Sequence, residues 1–130
     1  MALMKFREEN HVKWVGVRPS HDGTQFTNIK FAENNVQTLI TVPAGQIYYL
    51  CTTIFNVHVP GAGLMYLRAY TDAAATFWSF GERRLFGGVT IEPAVCTFWP
   101  PMELLTDYTI KLGSDAMGLS GSGCIFGWLE

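Results

Sequence analysis

Charged side chains are scarce in this chain, and their scarcity already limits its function. Nine lysine and arginine residues and 11 aspartate and glutamate residues make up 15% of the 130 residues, against about 25% in an average soluble domain. The net charge is −2, and Arg83–Arg84 is the one adjacent basic pair. A nucleic-acid partner calls for a basic stripe. The composition therefore argues against nucleic acid and indicates that another protein surface covers part of this one.

The chain also lacks a membrane span and a secretion signal. Its longest uninterrupted apolar candidate, residues 46–59, is shorter than the roughly 20 residues that a spanning helix needs. The first ten residues, MALMKFREEN, contain no apolar core of signal-peptide length and include Glu8 and Glu9. We therefore predict no membrane partner and synthesis in the cytoplasm. Cys51, Cys96 and Cys124 are odd in number and widely spaced, which favours free, buried thiols over a disulfide framework.

No catalytic or metal-binding pattern stands out in the sequence. His11, His21 and His58 are isolated, without the paired spacing of metal ligands. His58 and Cys51 are an odd number of residues apart, so regular strand alternation would place them on opposite faces. The glycines of GLSGSGC lack the lysine and helix of a phosphate loop. We predict a non-enzyme without cofactor or metal, although Glu92 and Glu103 leave open an acid pair that only spatial proximity would reveal.

The strongest positive feature is a stretch without charge from residue 34 to residue 67. Residues 46–59 are rich in β-branched and aromatic side chains, and Pro43, Gly45, Pro60 and Gly61 flank them with turn chemistry. They predict one long strand of about 46 Å at 3.3 Å per residue, with a bulge inside it because of that length. Both faces of this strand are substantially apolar in its first half, which predicts covering on both faces and makes its outer face a candidate trimer surface.

The remaining chain follows the same alternation of short apolar runs and turns. We predict an all-β fold, a jelly-roll-like antiparallel β-sandwich of about eight to ten strands, formed as a single domain by residues 11–130 after an N-terminal arm of residues 1–10. Three segments, residues 81–88, 100–107 and 114–123, are expected to be mainly connections. Besides the long strand, the clearest predicted strands are residues 11–18, 25–31, 36–42, 63–70, 94–99, 108–112 and 124–129.

Aromatic residues are the most promising contact residues. They can belong to the core, anchor a subunit interface or stack on sugar rings. From their positions near predicted element ends and on the long strand, we predict an oligomer or partner interface that includes Tyr48, Trp78, Phe80 and Trp99.

Two stretches, TVPAGQIYYLCTTIFNV and FWPPMELLTDYTIKLGSDAMGLSGSGCIFGWLE, resemble the strand entry and closing segment of small β-sandwich virion proteins of tailed bacteriophages. The resemblance implies a capsid decoration (cement) protein that is made in the host cytoplasm and forms a homotrimer on the major capsid protein at the virion surface. Within the arm, Met4, Phe6 and Arg7 are the candidate capsid-docking residues. The alternative is a glycan- or receptor-binding module of a tail or head fibre, with Trp78 and Trp99 as stacking platforms. A third class, a small hydrolase, would require a convergent acid pair or triad.

Overall fold

Eight strands form two four-stranded antiparallel sheets in the computed structural model, which describes residues 24–59, 62–86, 93–115 and 119–130. The predicted strand 11–18 and the arm with Met4, Phe6 and Arg7 lie outside the described residues. The strands are β1 (Thr24–Glu33), β2 (Val36–Thr41), β3 (Tyr48–Val59), β4 (Ala62–Tyr70), β5 (Thr76–Phe86), β6 (Ala94–Leu104), β7 (Thr109–Ser114) and β8 (Ser120–Leu129).

The pairing of these strands confirms the predicted jelly roll. Strand β1 pairs with β8, β2 with β7, β3 with β6 and β4 with β5. These nested pairs are those of one long antiparallel hairpin, which folds over on itself. The additional pairs β3–β8 and β4–β7 then join the strands into two sheets. The first sheet has the order β1-β8-β3-β6 and the second β2-β7-β4-β5.

The core lies between the two sheets, and the charge-free stretch supplies much of it. Strands β2, β3 and β4 belong to that stretch almost entirely, because it ends at Leu67. Tyr48 is fully buried there, and its hydroxyl donates a hydrogen bond of 2.9 Å to the carbonyl oxygen of Phe26. The largest fully buried side chains are Tyr48, Phe55, Leu39, Leu50, Met65, Leu67, Leu104, Ile110, Leu112, Leu119, Ile125 and Val42.

The predicted bulge in the long strand is present at Cys51. The register of β3 shifts between Leu50 and Thr52 against both of its neighbours, β6 and β8. Before the shift Tyr48 and Leu50 face the core, whereas after it Thr53 and Phe55 do. The regular alternation that was assumed in comparing Cys51 with His58 therefore does not hold, since the inserted residue exchanges the inner and outer faces. Because the inner face changes at Cys51, core residues occupy even positions before it and odd positions after it. A regular alternation would assign these core residues to two opposite faces.

The three predicted connections are largely strand, and packing explains two of the differences. Strand β6 continues through Pro100 and Pro101 because it lies at a sheet edge, where a missing N–H is tolerated. Residues 98–101 stand opposite the single bulge residue of β3. Strand β8 begins four residues earlier than predicted. Gly123 there packs closely on the opposite sheet, since an added Cβ would come within 2.9 Å of Leu67, so this glycine belongs to a packed strand and not to a flexible loop.

Candidate functional site

The outer face of the first sheet carries an exposed apolar row across all four strands. Paired positions on neighbouring strands form this row, which runs through Ile29 on β1, Cys124 on β8, Ile54 on β3 and Val95 on β6. Ile29 is 50% exposed and Val95 60% exposed. The next row consists of Thr27, Phe126, Thr52 and Thr97. We call these two uncharged rows the sheet surface.

The outer face of the second sheet has a different chemistry. Arg68 on β4 is level with Lys111 on β7. The Nε of Arg68 donates a hydrogen bond of 3.1 Å to Glu82, and its guanidinium lies 4.1 Å from the ring centre of Tyr66. The Nζ of Lys111 lies 5.6 Å from the ring centre of Tyr70. These charges have partners within their own sheet, so this face is suited to water, whereas the sheet surface is suited to another apolar surface.

A second exposed apolar region lies where the edge strands β5 and β6 meet. The rings of Phe80 and Phe98 contact each other there with centroids 5.7 Å apart, and the Sγ of Cys96 lies 3.5 Å from the carbonyl oxygen of Phe80. Trp78, two residues before Phe80, and Trp99, next to Phe98, are both half exposed. We call the edge at which β5 and β6 meet, with Trp78 on one strand and Trp99 on the other, the flank.

The structure separates the four residues of the predicted interface into two pairs. Tyr48 is 0% exposed and Phe80 is 3% exposed, so both belong to the core and not to a contact surface. Tyr48 was misplaced because the bulge at Cys51 reverses which residues of the strand face inward. Trp78 and Trp99 do lie at the surface, and their interface role stays a prediction.

Sequence reasoning named the outer face of the long strand β3 as a candidate contact surface, but it missed the parts of the sheet surface on β1, β6 and β8, although one signal for them exists. The inner positions of the edge strand β1 include Asn28 and Lys30, while the outer positions include Ile29 and Phe31. Asn28 is accommodated inside because its side-chain nitrogen donates a hydrogen bond of 2.8 Å to the carbonyl oxygen of Leu39. Phe26 and Ala32 at other inner positions still pack on the core, so the signal is the exposed apolar pair Ile29 and Phe31, which favours a partner on the outer face.

A cleft of about 330 Å³ lies at the end of the same sheet. Phe31, Glu33, Asn35 and His58 are among the residues that line it. The Nε2 of His58 shares a hydrogen bond of 2.9 Å with the Oγ of Ser122. His58 occupies a second bulge of β3, where the register shifts between Val57 and Val59. In the described ranges no carboxylate forms a hydrogen bond with His58, so the third member of a nucleophilic triad is not seen beside this pair.

The three cysteines are free, as predicted, although they are only partly buried. Burial raises the pKa of the Cys51 and Cys124 thiols, which keeps them in their weakly nucleophilic neutral form at pH 7. Among the residues that the structure describes, no three His, Cys, Asp or Glu side chains come together as metal ligands. Glu92 of the possible acid pair Glu92 and Glu103 lies outside those residues.

Within the same described ranges, no helix has both the length and the hydropathy that crossing a bilayer requires. The chain matches no protein-family model and no curated protein sequence.

Proposed function

We propose that this protein is a non-enzymatic structural protein of a bacteriophage virion, a capsid decoration protein that assembles as a homotrimer on the major capsid protein. Two considerations support the proposal. Jelly rolls are a common architecture of viral capsid proteins, and this chain has that strand order. Its sheet surface also offers an apolar contact area that an isolated monomer would leave in water.

The sheet surface is the observation that carries the proposal. Its two rows cross four strands about 4.8 Å apart and cover about four residues of each strand, which is on the order of 250 Å². A standard interface buries about 800 Å² on each partner. The sheet surface therefore supplies about a third of one interface and needs an additional contact to complete it.

The flank can supply that contact and also favours a ring. A twofold dimer uses the same patch on both subunits, whereas a cyclic ring joins two different patches. This chain has two different exposed apolar regions, the sheet surface with Ile29 and Val95 and the flank with Trp78 and Trp99. The flank of one subunit would pack on the sheet surface of the next, and three subunits form the smallest ring of this kind.

Cosedimentation tests the capsid role. Purified protein is mixed with capsids of the same phage that lack it, and the bound fraction is measured after pelleting. We expect saturable binding in multiples of three copies per site. The matched variant lacks residues 1–10, the proposed docking arm with Met4, Phe6 and Arg7, and it should keep its fold and bind more weakly. If the full-length protein does not pellet with capsids, the capsid role is wrong.

A glycan- or receptor-binding module of a phage fibre is the second candidate, because Trp78 and Trp99 are half exposed on one flank. In that case Trp78→Ala should abolish adsorption to host cells and leave the oligomeric state unchanged. In the decoration role, the same substitution should weaken the trimer. The two measurements made on this one variant therefore separate the candidates.

A further inference from the structure

We propose that the cleft at the end of the first sheet, lined by Phe31, Glu33, Asn35 and His58, binds a neutral saccharide. The site is distinct from the tryptophans of the flank and does not depend on the proposed function. Its volume of about 330 Å³ lies at the lower end of the range of small-molecule sites, about 300–1,000 Å³. One or two sugar rings fit a space of that size.

Two aromatic rings form an apolar wall in this cleft. The Phe31 side chain is 64% exposed, and its ring lies 5.9 Å from the His58 ring at an interplanar angle of 36°. The hydrogen bond between His58 and Ser122, a residue that is nine-tenths buried, holds the imidazole beside Phe31. An exposed ring with an ordered neighbour presents a π-face to the C–H groups on one side of a pyranose.

Polar groups with both donor and acceptor capacity surround the wall. The exposed Glu33 carboxylate accepts hydrogen bonds, and the Asn35 side chain can donate through its amide nitrogen, since its Oδ1 already accepts a bond of 2.9 Å from the Glu33 N–H. Sugar hydroxyls both donate and accept, so they match this mixed set. Convergent polar groups around an apolar wall are the usual composition of a specific small-molecule site.

The turn that carries these groups is held in place from several sides. Asn34 has a φ of 53°, in the left-handed region that asparagine tolerates better than most residues. The Ser114 N–H donates a hydrogen bond of 2.8 Å to the carbonyl oxygen of Asn35. Ala32 and Gly121, two further lining residues, are buried. The site is therefore largely formed before a ligand arrives, which lowers the entropic cost of binding.

The charges of the lining disfavour other ligand classes. Among the described residues that line it there is Glu33 but no lysine or arginine, so phosphates and other anions would meet a carboxylate without a compensating cation from this part of the chain. A quaternary ammonium ligand prefers a cage of several aromatic rings, whereas the described lining contributes the two rings of Phe31 and His58. A neutral sugar can pack its C–H groups on the aromatic wall, and its hydroxyls can bond to both the Glu33 carboxylate and the Asn35 amide.

Saturation-transfer difference NMR on the full-length protein tests the proposal. The probes are the methyl glycosides of glucose, galactose, mannose and N-acetylglucosamine, with methyl phosphate and tetramethylammonium as the anionic and cationic alternatives. We expect signal transfer to at least one glycoside, strongest at the ring C–H protons, and none to the two ions. Phe31→Ala should abolish the transfer, and so should Glu33→Gln, which changes an exposed side chain and does not threaten folding. Val36→Ala, an equally exposed aliphatic position on the other sheet, should leave it unchanged.

Three results would overturn the proposal. They are a lack of transfer to every glycoside, transfer that persists unchanged in Phe31→Ala and Glu33→Gln, and transfer to either ion in place of the sugars. Each would leave the trimer measurement untouched, so the two proposals fail independently.

Discussion

Ile29 and Val95 belong to opposite edge strands of one sheet, yet they lie in a single row of side chains that Cys124 and Ile54 connect. Both ends of the row are at least half exposed. Exposure of this uncharged row to water is unfavourable for a monomer, because each square ångström of exposed apolar surface costs about 25 cal/mol relative to burial. The row is consequently the centre of the assembly surface proposed for this protein.

Charge introduced into this row should separate the subunits. We expect Ile29→Lys and Val95→Lys each to raise the dissociation constant of the oligomer by about 100-fold or more, because an unpaired ammonium would be buried in the contact. Val36→Lys, at a similarly exposed aliphatic residue on the outer face of the second sheet, is the matched control and should have no effect. Sedimentation equilibrium measures all three. Equal weakening in all three variants would remove the sheet surface from the interface.

Replacing Thr53 with valine should increase the free energy of unfolding. Its hydroxyl is fully buried and has no hydrogen-bond partner in the described part of the chain. Thr53→Val keeps the shape and removes the unsatisfied oxygen, so the free energy of unfolding should rise by about 1 kcal/mol. Urea unfolding followed by fluorescence measures the change. A loss of stability would show that the hydroxyl has a partner in solution, such as a buried water.

Two glycines of β8 should differ in their tolerance of a methyl group. A Cβ at Gly127 would collide with the carbonyl oxygen of Tyr49 and come within 2.8 Å of the Tyr48 ring, whereas at Gly123 the nearest atom is the flexible tip of Leu67. Gly127→Ala should therefore reduce the free energy of unfolding by about 3 kcal/mol and Gly123→Ala by about 1 kcal/mol. Thermal unfolding of the two variants checks the order. The reverse order would contradict the packing of β8 described above.

Stability should fall at alkaline pH, and Tyr48 should account for part of the loss. Burial raises the pKa of its hydroxyl well above the usual 10.0. A group whose pKa is raised by folding stabilises the protein below its unfolded pKa, and this contribution is lost as pH rises from about 10 toward the folded value. Tyr48→Phe should be less stable at pH 7 by about 1 kcal/mol, since it lacks the bond to Phe26. It should also lose less stability than the unsubstituted protein between pH 9 and pH 11, measured by urea unfolding at each pH. An identical alkaline loss in both proteins would be inconsistent with this account.

Much of the fold was predictable from the pattern of apolar residues and turns, since the charge-free stretch and its flanking prolines and glycines predicted a long strand with a bulge. The position of the bulge at Cys51 was not predictable, because it depends on which residues of β6 and β8 stand opposite. That single insertion decided whether Tyr48 faced the core. The continuation of β6 through Pro100 likewise depended on its place at a sheet edge, which only the tertiary pairing determines.

The candidate surfaces were harder to predict than the fold. An exposed Ile29 and a buried Ile125 have the same chemistry and the same strand context, so periodicity alone does not distinguish an inner face from an outer contact face. The cleft is assembled from β1, β3, β8 and the turn after β1, and its lining residues are spread from Phe31 to Gly121. Trp78 and Trp99 are exposed, whereas Phe80, which was chosen by the same signal of an aromatic side chain near a predicted strand end, is buried.

The solution mass of the intact protein tests the central claim most directly. Light scattering coupled to size-exclusion chromatography should give a single species near three times the chain mass of 14.5 kDa, because in the proposed trimer the flank of each subunit covers the sheet surface of the next. A single species at 14.5 kDa across the accessible concentration range would contradict the account, since Ile29 and Val95 would then remain in water.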